Sequence, residues 1–201
     1  MCRESRHRVT KVLRMDLRLS EVLLKDNPNL KVVQLFRDPR AVISSHLTTE
    51  WFPTITVSND TLYNDIKVTC KRMRYDIESA IYLVDQYPDR VRVVQYEDYI
   101  ENTVDKMRSL YQFLGMKFSK EYDIFVKQTS EITGNTKHSI IASPYRPSLS
   151  WDIVKLVDTH CKDVIQALGL NTYPSKAEYL NITMFNPISS HLPFAILSIP
   201  N

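Results

Sequence analysis

Arg37 and Arg40 bracket the pair Asp38-Pro39, and a hydroxyl, Ser45, follows five residues later. Guanidiniums present their N–H donors in a planar fork that matches phosphate oxygens. A helix opening at Pro39 adds free backbone N–H groups and the positive end of its dipole. Helical side chains lean toward the N-terminus, so the Ser45 hydroxyl can join the same anion. The chemistry of such a set is recognition of a phosphate-like anion. The same residues also suit an ordinary strand-to-helix corner with solvated arginines.

The elements that must position this set flank it. Val32, Val33, Leu35 and Phe36 read as a strand buried on both faces. Asp38 suits the N-cap and Pro39 the first helical position. After a loop from Trp51 to Thr61, the residues Leu62, Ile66, Cys70, Met73, Ile77, Ile81 and Val84 recur at helical spacing and predict one long apolar face. Lys71, Arg72 and Arg74 fall on or beside the solvated face. Tyr87-Pro88-Asp89-Arg90 turns the chain, and Val91 to Tyr96 reads as a second inner strand. Strand, helices and strand in that order require a crossover, so the strands are expected to be parallel. Glu97 and Asp98 then stand at the carboxyl end of the sheet, where open α/β folds bind ligands. Both are read as orienting arginines or capping backbone rather than as a catalytic pair.

Arg37-Asp38-Pro39-Arg40-Ala41-Val42 with Ser45 resembles the 3′-phosphate-binding motif of sulfotransferases that use 3′-phosphoadenosine 5′-phosphosulfate (PAPS). It is most similar to the Golgi carbohydrate sulfotransferases acting on galactose, N-acetylgalactosamine or N-acetylglucosamine. The resemblance implies that Arg37 and Ser45 hold the nucleotide 3′-phosphate, with Arg40 and Tyr96 in the nucleotide site. Tyr96-Glu97-Asp98-Tyr99 resembles the family's tyrosine-glutamate-aspartate-leucine signature. Thr103 departs from the proline usual there, while Phe113-Leu114-Gly115 matches the helix end. Lys11 and Arg14 stand where the family has a lysine-x-x-arginine segment, within a stretch, Val9 to Met15, that reads as a short strand. Tyr145-Arg146 replaces a tryptophan-arginine pair, which implies a nucleotide contact for Arg146. Cys161 and Leu168-Gly169-Leu170 echo the family's end.

That resemblance implies an α/β fold, a P-loop-nucleotide-hydrolase-like parallel sheet flanked by helices. It implies PAPS as co-substrate without a metal, a glycan or glycoprotein acceptor, and a Golgi lumen or membrane location through an anchor not present in this chain. His46 and Glu50, just past the phosphate helix, are the candidate bases for the acceptor hydroxyl; surface residues at a helix end are the alternative reading of both.

The chain has three glycines, Gly115, Gly134 and Gly169. None precedes the first strand, which excludes a Walker loop, a dinucleotide fingerprint and hence a nucleotide-kinase reading. The sulfotransferases begin with a strand and a glycine-serine loop that cradles the 5′-phosphosulfate. The resemblance starts after that element, so the sheet is expected to lack its first strand and loop. The expectation is the C-terminal portion of a carbohydrate sulfotransferase, weak or inactive alone. The alternative is a non-catalytic nucleotide-binding or partner-binding relic.

Size and composition agree with one domain. The 201 residues are 43% hydrophobic and 24% charged, the balance of a globular chain. A net charge of +3 is too mild for a nucleic-acid coat. No apolar run reaches the length of a membrane span. Cys2, Cys70 and Cys161 form no metal pattern; two can pair, or all can be buried thiols. Asn59-Asp60-Thr61 and Asn181-Ile182-Thr183 are glycosylation sequons. Ser20 is read as capping a helix through Leu24, and Ser119 one through Val126. Thr129 to Ser148 reads as a long irregular loop, followed by one Ser150-capped helix ending at Gly169. The partial sulfotransferase domain is placed at residues 1–170, and residues 171–201 are read as a divergent tail open to disorder.

Overall fold

Two strands, β1 (Val32–Phe36) and β2 (Val91–Gln95), lie parallel, with Val32 opposite Val91 and Phe36 opposite Gln95. They form the sheet of the computed structural model, which describes residues 5–13, 15–48, 59–101, 103–132 and 145–181. The crossover between them runs through α2 (Pro39–Thr48) and α3 (Asn59–Gln86). The chain is therefore a helix-rich α/β protein with a small parallel sheet, as the strand-helix-strand order predicts.

β2 buries Val91, Val93 and Val94 and so is covered on both faces. β1 is not. Phe36 is buried, but Val33 and Leu35 are 37% and 54% exposed. Their alternation turns them together to one side, away from the packed helices. The expected two-sided burial of β1 thus holds for one face alone. The predicted strand at Val9 to Met15 does not form among the described residues: residues 5–13 are irregular, Val9, Val12 and Leu13 are exposed, and no described strand lies beside them to pair.

Before β1, a 3-10 turn (Leu17–Leu19) runs into α1 (Ser20–Asp26). Ser20 is not the expected N-cap, since its Oγ donates to the Leu17 carbonyl at 2.7 Å. In α3, Ile66, Cys70 and Ile77 are buried as the stripe predicts, joined by Ala80 and Leu83. Ile81 is 47% exposed. Two successive four-residue steps from Met73 carry it off the stripe, because each step overshoots a full turn by about 40°. The helix also begins at Asn59, inside the predicted loop.

β2 passes directly into α4 (Tyr96–Glu101), followed by α5 (Thr103–Leu114) and α6 (Lys120–Ile132). Gly115 closes α5 at φ 70, a left-handed position that suits glycine. α6 runs past Val126, so the start of the predicted long loop is helical. The predicted single last helix is two: α7 (Trp151–His160), with Ser150 accepting from the Ile153 N–H, and α8 (Lys162–Ala167).

The two helices meet at Cys161, which is disulfide-bonded to Cys70 of α3, 91 residues away. Both sulfurs lie within the main core, with Ile66, Ile77, Val157, Val164 and Ile165. The chain after residue 170 continues to pack. α9 (Lys176–Leu180) buries Tyr179 in a second cluster with Ala41, Tyr145, Leu149 and Val154. So the first part of the expected tail, to Asn181, sits against the start of α2; residues 182–201 lie outside the described residues.

Candidate anion site at the β1–α2 turn

The turn after β1 is held from three sides. Asp38 caps α2, its Oδ1 accepting the Arg40 N–H at 2.8 Å. Its own N–H donates to Glu97 Oε1 at 2.9 Å, which ties the ends of the two strands together. Its Oδ2 accepts from the Tyr145 hydroxyl at 2.7 Å and from Arg40 Nη1 at 3.2 Å. A carboxylate that takes three donors is fixed in place, and so is the backbone that carries it.

Arg37 and Arg40 point to different worlds. The Arg40 side chain is 0% exposed. Its Nε donates to Asp158 Oδ1 at 2.6 Å and its Nη2 to the Asn171 carbonyl at 2.9 Å. Burial opposes its charge, but Asp38 and Asp158 outweigh burial and raise its pKa. Arg37 is half-buried, its guanidinium carbon 4.5 Å from the centroid of the Tyr96 ring. Its Nε is buried with no hydrogen-bond partner among the described residues. A buried donor left unmet costs about 1–3 kcal/mol, and a bound acceptor removes that cost.

Ser45 lies on α2 with its side chain exposed, while Ser44 beside it is buried. Arg146 is 2% exposed. Its guanidinium lies 4.9 Å from the Tyr173 ring centroid, and Arg40 lies 5.0 Å from the same centroid. Arg146 Nη2 also hydrogen-bonds the Tyr173 hydroxyl. The sequence reading sets Arg37 and Arg40 beside the anion and gives Arg146 a nucleotide contact. The structure keeps Arg37 at the turn and turns Arg40 and Arg146 inward, where buried Asp38 and half-buried Asp158 and Tyr173 are their partners.

Of the candidate bases, His46 is engaged with α3, its Nδ1 3.1 Å from Asp65 Oδ2. Glu50 lies outside the described residues, as does Arg14. Glu97, read as a structural acid, is 6% exposed, and burial together with the Asp38 charge pushes its carboxyl up to about 7. Asp98 pairs with Lys106. His160 meets Tyr63 edge to ring at 5.0 Å between centroids, a packing role. Asp158, Asn171, Tyr173 and Tyr179 complete the turn's support and were invisible in the sequence. Among the described residues no group of three or more His, Cys, Asp or Glu could hold a metal ion. No described helix is long and apolar enough to cross a membrane.

Residues 16–144 match the family model described as "Sulfotransferase domain". Carbohydrate sulfotransferase 1 of Danio rerio is 26% identical over 204 residues, which cover 91% of this chain and 49% of the relative. Carbohydrate sulfotransferase 4 of Mus musculus is 26% identical over 196 residues, 87% of this chain and 50% of the relative. Carbohydrate sulfotransferase 3 of Tetronarce californica is 23% identical over 170 residues, 76% and 38% respectively. The chain thus spans about half the length of the first of these relatives. No solved structure matches.

Proposed function

The chain belongs to the sulfotransferase domain family, and from that premise we propose that it carries the nucleotide 3′-phosphate-binding portion of an enzyme that transfers a sulfuryl group from PAPS to a carbohydrate hydroxyl. The observation that carries this reading is Arg37. Its guanidinium lies on the Tyr96 ring with Nε unmet, at the N-terminal end of a ten-residue helix. Oriented donors at a helix start and an unmet buried N–H fit a phosphate. The names of the relatives support a carbohydrate acceptor.

In this reading Arg37 and Ser45 hold the 3′-phosphate, and the Tyr96 ring beneath its guanidinium orients Arg37. Arg40 and Arg146 are positioning residues: they fix Asp38 and the packing behind the turn rather than touch the nucleotide. PAPS supplies the activated sulfuryl group. The acceptor hydroxyl must lose a proton as it attacks, and His46 is the described candidate for it, beside Asp65. The fold in this reading is P-loop-nucleotide-hydrolase-like. The Cys70–Cys161 disulfide supports an oxidising compartment, which suits a Golgi lumen.

Sulfuryl transfer, like phosphoryl transfer, needs both ends of the donor positioned. No glycine precedes Gly115, so this stretch holds no glycine-serine loop for the 5′-phosphosulfate. The chain by itself is expected to bind adenosine 3′,5′-bisphosphate yet turn over PAPS weakly or not at all. Titration with that nucleotide and a PAPS assay with sulfatable glycans test this. Absence of binding overturns the nucleotide site, and robust turnover overturns the need for the loop.

A further inference from the structure

Glu97 sits under the anion turn with one of its two carboxylate oxygens unmet. Its Oε1 accepts the Asp38 N–H at 2.9 Å. Its Oε2 is buried with no hydrogen-bond partner among the described residues. An ionised carboxylate in that setting keeps half of its acceptor capacity unmet, which favours a proton on the second oxygen. The groups that face it come from the β1–α2 turn: Asp38, which repels its charge, and Arg37, which attracts it. The Asp38 carboxylate is itself taken by Tyr145 and Arg40. On its own helix, Asp98 is directed to Lys106.

We propose that Glu97 is a positioning residue that couples anion binding at the Arg37 turn to the uptake of one proton on its Oε2. The inference rests on the nucleotide reading of this turn and extends it to regulation. Ionised, Glu97 competes with an incoming phosphate for the Arg37 charge. Neutral, it still accepts the Asp38 N–H through Oε1, so the turn keeps its shape while Arg37 is released to the ligand. The proton comes from solvent and returns there when the anion leaves. Burial already places the group near neutrality, with its carboxyl pushed up to about 7. A phosphate beside it raises that further. Linkage then requires affinity to rise as pH falls, by on the order of tenfold between pH 8.5 and 6.5, an average uptake of about half a proton because the free carboxyl is already half protonated near pH 7.

The test is a calorimetric titration of the full chain with adenosine 3′,5′-bisphosphate across that pH range, for the native protein and Glu97→Gln. The glutamine keeps an oxygen for the Asp38 N–H but does not titrate. It also records the phosphate's own protonation, whose second pKa is about 6. The native protein is expected to tighten by on the order of tenfold relative to the variant as pH falls. Near pH 8, where the ligand phosphate is already ionised, buffers of different ionisation enthalpy should report a net uptake on the order of half a proton by the native protein, a readout that stands if the variant fails to fold. Matching pH slopes, or no proton uptake, overturn the coupling and leave the nucleotide site in place. No binding in either protein at any pH overturns the nucleotide reading and the coupling with it.

Discussion

Arg40 Nε donates to Asp158 Oδ1 at 2.6 Å, joining the start of α2 to α7 across 118 residues of chain. Arg40 is buried and Asp158 half-buried, and Asp38 and the Asn171 carbonyl complete the guanidinium's partners. Removing the cation leaves the buried Asp38 and the half-buried Asp158 carboxylates without their counter-charge. Arg40→Ala is expected to destabilise the fold by about 3–5 kcal/mol. Urea unfolding followed by circular dichroism measures it. A loss below about 1 kcal/mol would mean that the network is not structural.

The same buried network distinguishes the ring of Tyr173 from its hydroxyl. Both Arg40 and Arg146 lie over that ring. Tyr173→Phe keeps the ring and loses one hydrogen bond, at about 1 kcal/mol. Tyr173→Ala removes the ring as well and should cost about 2–3 kcal/mol. Equal melting temperatures for the two variants would show that the ring contributes nothing.

Cys70 and Cys161 close a long loop between α3 and the α7–α8 junction, with a sequence separation of 91. Chain-entropy arguments give such a crosslink about 4–5 kcal/mol. Chemical denaturation with and without reductant should show most of that difference. Unchanged stability on verified reduction would contradict the crosslink's role.

Glu97 predicts a pH dependence of stability with a definite sign. Its folded carboxyl is at about 7, above the ordinary 4.5. The folded state therefore holds a proton that the unfolded state releases first. Stability falls as pH rises from about 4.5 to 7, by about 3 kcal/mol, from 2.5 pKa units at about 1.36 kcal/mol each. Glu97→Gln should remove that slope. A variant that keeps the native protein's slope would show that another group sets it.

What could be read in the sequence was local. Asp38-Pro39 after an apolar run gives a strand, a cap and a helix start, and the structure has all three. The parallel pairing follows from the crossover. What could not be read was direction. Arg37 and Arg40 have the same chemistry and nearly the same place, yet one stays at the turn and the other goes inward, because Asp158 and Asn171 arrive from far along the chain. The exposed face of Val33 and Leu35 depends likewise on which helices cover β1, not on their own apolar character. Tyr173 and Tyr179 looked like part of a tail, since no periodicity marks a single short helix packed by two aromatic rings.

If Arg37 binds a nucleotide 3′-phosphate, Arg37→Ala must weaken binding of that nucleotide. Adenosine 3′,5′-bisphosphate affinity would be measured for the native chain, for this variant and for Lys155→Ala, a surface cation paired with Asp152 on α7. Arg37→Ala is expected to weaken binding by on the order of tenfold to a hundredfold, the loss of a charge-assisted hydrogen bond of about 1.5–3 kcal/mol, while Lys155→Ala leaves it unchanged. Equal affinity in all three proteins would contradict it.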